Sequence, residues 1–213
     1  SEMCIRDSAR TAGQTDIIAN AVKINAGLWA NELNIVTGQN EVNYQTQEVK
    51  TIADTNNGIS LDVAALGGMY AGRIKMVGTA QGVGVNTAGS IYADNGIELT
   101  QTGKVQLHGS VTAKGDINIS SLDELTNTGT VYTQQNLSLK STAGLKNQGT
   151  AKADKELQIQ IAGNLQNNGS IEGMKLQIQS ADLFNTADLK NLGSSIMKLS
   201  LIHISEPTRR TPI

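Results

Sequence analysis

Aromatic residues and proline are scarce in this sequence, whose 213 residues include one Phe, one Trp, four Tyr and two Pro. A core with so few aromatic side chains has to be built from Ile, Leu, Val and Ala. The charge is also nearly balanced, with a formal net charge of −2 at pH 7. Because no basic field is present to attract a polyanion, we expect nucleic acid not to be a partner.

Long apolar runs and cysteine pairs are missing as well. The one cysteine, Cys4, cannot form an internal disulfide, so cysteine usage leaves the redox compartment open. No uninterrupted apolar run approaches the ~20 residues of a membrane-spanning helix, which predicts no membrane insertion. No signal peptide pattern opens the chain, so we expect an export signal, if there is one, to lie upstream.

The two ends of the chain are related in an unusual way. One permitted coding of residues 2–8, GAG ATG TGT ATA AGA GAC AG, is the reverse complement of one permitted coding from residue 199 onwards, CTG TCT CTT ATA CAC ATC TC. A sequencing adapter joined to both ends of a DNA insert produces this relation. We therefore predict that residues 1–8 and 199–213 are adapter-derived, which removes Cys4 and His203 from consideration.

Glycine, in contrast, is plentiful, and it recurs with a fixed period. Of 22 glycines, five are spaced by twenty residues, and a Ser or Thr follows each: Gly89, Gly109, Gly129, Gly149 and Gly169. A Val or Leu stands four residues before each glycine, and a pair of aliphatic residues two positions apart recurs later in each unit. The fifth such pair, Leu176 with Ile178, comes one residue early, as a single deletion in a loop would leave it.

This period predicts an all-β fold, a right-handed single-stranded parallel β-helix (β-solenoid) with coils of ~20 residues. Apolar residues two apart share one face of a strand, and stacked units bury that face in one aliphatic core. We expect the glycines to occupy sharp corners by adopting positive φ. Asn127, Asn147 and Asn167 precede three of them by two residues, which predicts an asparagine ladder. The alternative is a β-sandwich with coincidental spacing.

The pattern extends beyond the five copies. Residues 27–36 align without gaps to residues 68–77, and residues 37–60 are polar and aperiodic, which favours an insertion loop or a ragged extra coil. Downstream, Leu189 and Gly193 are predicted to repeat the corner with a longer spacing, followed by Ser194 and Ile196.

The segments AGLWANELNIVTGQN (26–40) and ISLDVAALGGMYAGRIKMVGTAQGVGVNTAGSIYA (59–93), with the repeats that follow, resemble the filamentous haemagglutinin family. That resemblance covers roughly residues 17–198. It implies a large exoprotein, secreted or displayed on the surface of a Gram-negative cell, with an outer-membrane two-partner secretion transporter as partner. It also implies a receptor or glycan on a host or neighbouring cell. Both adhesins and effectors of contact-dependent growth inhibition belong to the family, and the sequence leaves these two open.

The resemblance also predicts a division of the chain. Residues 9–84 are expected to be the end of a secretion-type β-helix domain that carries the insertion 37–60. Residues 85–198 are expected to be haemagglutinin-type repeats. The function predicted for the whole is that of a structural shaft segment, with no catalytic residues and no cofactor.

A polysaccharide-binding or polysaccharide-cleaving β-helix is the alternative. Cleavage would need acids and bases stacked on neighbouring coils, but the outward columns mix residue types: Asp94, Lys114, Gln134, Asp154 and Met174 in one, and Glu98, Asn118, Ser138, Gln158 and Gln177 in another. His108 is expected to point outward. No spacing suggests a metal site. Residues 82–89 lack the Lys-Ser/Thr ending of a phosphate-binding loop and are predicted to be a glycine-rich turn.

Trp29 and Tyr70 occupy equivalent places in the two upstream coils. Their apolar flanks leave two interpretations open. The rings form an exposed surface on which a sugar could stack, or they pack against the insertion loop.

Overall fold

The computed structural model describes residues 2–5, 9–10, 13–42, 46, 49–51 and 59–193. All regular elements in this part of the chain are strands. The first eleven are β1 (Glu2–Ile5), β2 (Ala9–Arg10), β3 (Gln14–Ala19), β4 (Ala21–Ile24), β5 (Gly27–Thr37), β6 (Asn40–Val42), β7 (Val49–Thr51), β8 (Leu61–Val63), β9 (Gly68–Gly78), β10 (Val83–Thr87) and β11 (Ser90–Gln101). The others are β12 (Lys104–Leu107), β13 (Ser110–Ala113), β14 (Asp116–Ser121), β15 (Leu125–Asn127), β16 (Thr130–Thr133), β17 (Leu137–Ser141), β18 (Leu145–Asn147), β19 (Thr150–Ile161), β20 (Leu165–Asn167), β21 (Ser170–Gln179), β22 (Leu183–Asn185) and β23 (Asp188–Asn191).

These strands form a β-solenoid. One wall is a nine-stranded sheet with the order β1-β4-β8-β10-β12-β15-β18-β20-β22, so each turn contributes one strand to it. The rest of each turn forms a second sheet, as one long strand in β5, β9, β11, β19 and β21 or as two shorter strands elsewhere. Every pairing within these two sheets is parallel, and the nine stacked strands delimit about eight turns. The predicted fold class is therefore confirmed.

The register between turns follows the sequence repeat. Ser110 lies beside Thr130 and Thr130 beside Thr150, one period of twenty apart. Gly27 to Thr37 pair in register with Gly68 to Gly78. The early pair in the fifth unit is absorbed by a register shift between Ala153 and Glu156. Between the two upstream turns, β6 and β7 form an antiparallel pair within the predicted insertion.

Inward side chains form one continuous aliphatic core, as expected from the scarcity of aromatic residues. Its members are almost all Ile, Leu, Val, Ala and Met, and they stack on residues of the same kind in the next turn. Leu137 lies beside Leu157, and Leu157 beside Leu176. Full burial of one such side chain stabilises the fold by about 1.5–3 kcal/mol.

The repeated glycines are required for a reason that the sequence did not indicate. Among the described glycines, positive φ occurs at Gly38, Gly82 and Gly96, and not at the five periodic positions. The prediction of positive φ at the corners is therefore wrong. A Cβ on Gly109 would overlap the carbonyl oxygen of Gly89, and the same contact recurs from turn to turn along the stack. Close approach of backbones, which only glycine permits, is the physical cause.

The last described turn differs from the prediction in its register. Leu189 pairs with Ile171 and not with Leu165, whose partner is Leu183. The predicted corner at Leu189 and Gly193 is therefore wrong, because the final turn is two residues shorter than the repeat and not longer. In this turn Ala187, two residues after Asn185, stands where the other units have glycine. Ser194, Ile196 and the predicted adapter-derived segment 199–213 lie outside the described residues.

The glycine-rich segment 82–89 is also not the predicted turn, because its residues Val83–Thr87 form β10. Its glycine at position 84 makes room for the buried side chain of Gln101, which a Cβ there would overlap. Gln101 Nε2 donates a hydrogen bond to the carbonyl oxygen of Ala80 at 2.7 Å. A Cβ on Gly78 would overlap the same side chain, so Gln101 occupies the space that Gly78 and Gly84 leave inside the solenoid.

Candidate functional site

The predicted asparagines form a buried ladder along the nine-stranded wall. Asn127 Nδ2 donates to Asn147 Oδ1 at 2.8 Å, and Asn147 Nδ2 donates to Asn167 Oδ1 at 2.8 Å. Asn167 Nδ2 donates to Asn185 Oδ1 at 2.7 Å. The same amide nitrogens also donate to backbone oxygens in the next turn, at Thr150, Ser170 and Asp188. The ladder therefore ties the corner of each turn to the next with buried hydrogen bonds.

Asn185 was not identified from the sequence. It follows Asn167 by eighteen residues instead of twenty, so a search at the fixed period passes over it. A search for Leu-x-Asn, the pattern of β18, β20 and the start of the last turn, would have found it.

The ladder stops at Asn127, where the turn before contributes Leu107. Asn127 Oδ1 is buried and has no hydrogen-bond partner among the residues that the structure describes, and the same is true of Thr87 Oγ1, one turn before Leu107. Leu107 lies between them, paired with Thr87 on one side and Asn127 on the other. Leu107 therefore separates an unused acceptor, Asn127 Oδ1, from an unused donor, the Thr87 hydroxyl.

We expect Leu107→Asn to be tolerated unusually well for a polar substitution in a core. The new amide could accept from Thr87 Oγ1 and donate to Asn127 Oδ1, which offsets much of the lost apolar burial. The expected destabilisation is about 1 kcal/mol or less, against about 4 kcal/mol for Leu125→Asn, whose neighbours in the stack are Val105 and Leu145. Urea denaturation of both variants measures the difference, and equal losses would contradict the bridging geometry.

The predicted aromatic pair is brought together on the outer face of the second sheet. Trp29 and Tyr70 pair in register, and their rings stack with centroids 5.2 Å apart and planes 15° from parallel. Both side chains are partly buried. Each ring lies back over the glycine two residues earlier, Gly27 or Gly68, where a Cβ would overlap it.

Tyr92 extends the same column and was not singled out from the sequence. It pairs in register with Tyr70, but its hydroxyl bonds Asp94 Oδ1 at 3.0 Å, two residues further along the strand. Tyr92 therefore leans in the opposite direction from Tyr70. The signal that could have found it is the alignment of IYA (91–93) with MYA (69–71).

A groove of about 650 Å³ opens beside these rings and crosses three turns. It is lined by the three aromatic residues, by alanine and glycine, and by polar residues: Trp29, Tyr70, Tyr92, Ala30, Ala71, Gly72, Asn31, Asn95, Glu32 and Asp94. Gly72, in the middle turn, contributes no side chain. The groove thus brings three aromatic rings together with two carboxylates and two side-chain amides.

Ion pairs connect neighbouring turns on the surface. Lys114 Nζ lies 2.7 Å from Asp94 Oδ1, and Lys152 Nζ lies 2.8 Å from Glu172 Oε1. The hydrogen bond from Lys114 lowers the pKa of Asp94, and a second hydrogen bond from Tyr92 adds to this effect. The same hydrogen bond with Asp94 raises the pKa of Lys114. Both pairs are accessible to solvent, which screens their attraction, so they contribute little to the stability of the fold.

The residues considered for catalysis do not assemble into an acid-base site. In the first column Asp94 is neutralised by an ion pair with Lys114 of the next turn. In the second column Glu98 lies beside Asn118, and the turns that follow contribute the neutral residues Ser138 and Gln158. His108 is exposed, and its Nδ1 lies 2.7 Å from Thr128 Oγ1. Within the described ranges, no group of three His, Cys, Asp or Glu residues is placed to hold a metal ion. Nor does any helix in them have the length and apolar character needed to cross a membrane.

Stacked parallel turns, a glycine corner and a buried asparagine ladder define the chain as a β-solenoid, a repeat architecture in which each turn contacts only its neighbours. The family model described as the TPS secretion domain matches residues 5–119, which is more than half of the chain. The chain belongs to the two-partner secretion (TPS) domain family, whose partner is a two-partner secretion transporter.

Similar proteins carry related names. "Toxin CdiA" of Yersinia pestis is 50% identical over 99 residues, which are 45% of this chain and 3% of that protein. "tRNA nuclease CdiA-2" of Burkholderia pseudomallei (strain 1026b) is 43% identical over 97 residues, 44% of this chain and 3% of that protein. "16S rRNA endonuclease CdiA" of Enterobacter cloacae is 41% identical over 93 residues, 43% of this chain and 3% of that protein. No solved structure matches the chain.

The chain therefore corresponds to about 3% of the length of the curated relatives that it matches. The family and these relatives indicate a protein that is secreted or held at the cell surface of a Gram-negative bacterium. The predicted resemblance and localisation are confirmed.

Proposed function

We propose that this chain is a shaft segment of a long exoprotein that acts in contact-dependent growth inhibition or adhesion. The observation that carries the proposal is the secretion-domain match over turns that stack in one register. A solenoid of this type contacts only its neighbouring turns, so it can be extended to any length and can fold turn by turn. Such a rod holds a distal element away from the cell surface.

The shaft itself carries out no catalysis in this proposal. The relatives whose names include "nuclease" match over about a hundred of their residues, and the matched share is 3% of their length. The outward columns of this chain mix acids, bases and neutral residues, which supports a structural role. A receptor or glycan on a host or neighbouring cell is the proposed target of the whole exoprotein.

The proposed division of the chain places secretion-type coils in residues 9–84 and haemagglutinin-type repeats in residues 85–198. Coil length supports this division, and the match to the secretion-domain family continues past its boundary, to residue 119. Met69 lies beside Ile91, a turn of 22 residues, whereas Ile91 lies beside Val111 and Val111 beside Val131, turns of 20 residues. Residues 1–8 and 199–213 are proposed to be adapter-derived.

Deleting a whole turn tests the shaft proposal. Removal of residues 110–129 joins Gly109 to Thr130 and keeps every inward column in place, so secretion through a co-produced outer-membrane TPS transporter is expected to stay within about twofold of the parent. Removal of residues 110–119 cuts the turn in half and brings unlike columns together. We expect this deletion to reduce the secreted protein about tenfold or more.

The chain is produced behind a signal peptide, and the protein in the medium is quantified with and without the transporter. Release that does not depend on the transporter would contradict the secretion role. Equal loss with both deletions would contradict a shaft built of interchangeable turns.

A further inference from the structure

The groove beside Trp29, Tyr70 and Tyr92 has the composition of a ligand site and not of a shaft surface. Elsewhere the same outward column contains residues such as Thr112, Tyr132 and Lys152, without neighbouring rings. Where three consecutive turns carry aromatic residues, the column borders a groove of about 650 Å³.

The rings are held in different directions, and this opens the groove. Tyr70 lies back over Gly68 and against Trp29, while Tyr92 leans toward Asp94, to which its hydroxyl donates. Gly72 leaves the middle of the groove without a side chain. Aromatic surface is therefore presented next to a space that a ring-shaped ligand can enter.

The polar lining specifies the chemistry of that ligand. Glu32 and Asp94 are exposed carboxylates, and Asn31 and Asn95 line the same groove. The lining includes no cationic side chain. Carboxylates accept hydrogen bonds from hydroxyl groups, and amides both donate and accept them. Asp94 is paired with Lys114 outside the lining, so Glu32 is the carboxylate that repels an anionic ligand.

We propose that this groove binds a neutral oligosaccharide, with sugar rings against Tyr70 and Tyr92 and hydroxyl groups bonded to Glu32, Asp94 and Asn95. Apolar sugar faces pack on aromatic rings, and the hydroxyl edges meet the polar lining. This site deepens the proposed surface role, because it places one contact with a glycan within the shaft itself.

Intrinsic fluorescence provides a direct measurement, because Trp29 is the one tryptophan in the sequence. The full chain is titrated with cellotriose, mannotriose and triacetylchitotriose, and with trigalacturonate as the anionic comparison. At least one neutral trisaccharide is expected to change the emission with saturation, at a dissociation constant on the order of 1 mM. Trigalacturonate is expected to bind at least about tenfold more weakly.

Variants locate the site. Tyr70→Ala and Tyr92→Ala are each expected to weaken binding about tenfold, and Tyr132→Ala is expected to leave it within about twofold. Tyr132 is the matched control, because it lies in the same column and its hydroxyl bonds Asp154 at 2.6 Å outside the groove. Circular dichroism establishes that each variant is folded.

Three results would overturn the proposal: no saturable change with any neutral trisaccharide, equal binding of trigalacturonate, or an equal loss in Tyr132→Ala. Binding is measured in solution without a transporter. A failure of this proposal is therefore distinguishable from a failure of secretion.

Discussion

Leu157→Asp is expected to unfold the turns around it and to abolish surface display. Leu157 is 0% exposed and lies between Leu137 and Leu176 in the stack. The substitution removes apolar contacts worth about 2–5 kcal/mol and adds an ionised group with no partner. The combined loss is about 5 kcal/mol or more, comparable to the whole stability of an ordinary domain.

Urea denaturation and limited proteolysis measure the loss, and the amount of protein at the cell surface measures its consequence for export. Leu122→Asp is the matched control, because that side chain is 60% exposed in the same part of the solenoid. It is expected to change stability by less than about 0.5 kcal/mol. Normal unfolding and normal surface levels in Leu157→Asp would contradict the assignment of this column to the core.

The pH dependence of Leu157→Asp gives a second check. Burial between leucines raises the pKa of a carboxyl in the folded state above its unfolded value. The folded state then binds the proton more tightly, so the destabilisation is largest above the folded pKa and lessens as the pH falls through it. A destabilisation that is independent of pH would indicate that the carboxylate has reached solvent.

Gly129→Ala is expected to cost about 3 kcal/mol, although it adds a single methyl group. A Cβ at this position overlaps the carbonyl oxygen of Gly109 and the backbone at His108, and neither can rotate away. The two turns have to separate, which weakens the hydrogen bond from Thr130 N to the Gly109 oxygen, now 2.9 Å long.

Gly13→Ala is the control, because nothing lies within 4 Å of a Cβ there. It is expected to stabilise the chain by about 0.4–1 kcal/mol, since alanine restricts the unfolded state. The two glycine substitutions should therefore shift the urea midpoint in opposite directions. A neutral result at Gly129 would show that the turns can move apart without loss of stability.

Much of the architecture follows from local rules in the sequence. Side chains two apart share one face of a strand, so pairs such as Leu137 with Leu139 identify the inward positions without knowledge of the fold. Asn127, Asn147 and Asn167 keep the period of twenty, and the ladder among them was predictable for that reason. The close matching of 27–36 with 68–77 likewise determined which upstream turns are neighbours.

The candidate groove was only partly predictable. Trp29 and Tyr70 could be placed together because their segments align without gaps, but whether the rings were exposed or packed could not be derived. Tyr92 joins them across a turn of different length, and its lean toward Asp94 depends on a hydrogen bond that no spacing reveals.

The sequence by itself determined the period, the inward and outward positions and the residues that stack, because strand geometry has a fixed repeat of two. Only the tertiary structure decided what depends on the distance and register between turns. It showed that the glycines are needed where backbones touch, that Asn185 completes the ladder in a shorter turn, and that three aromatic residues border one groove. Contacts between turns are set by the packing of the whole stack, and the sequence of one turn does not contain them.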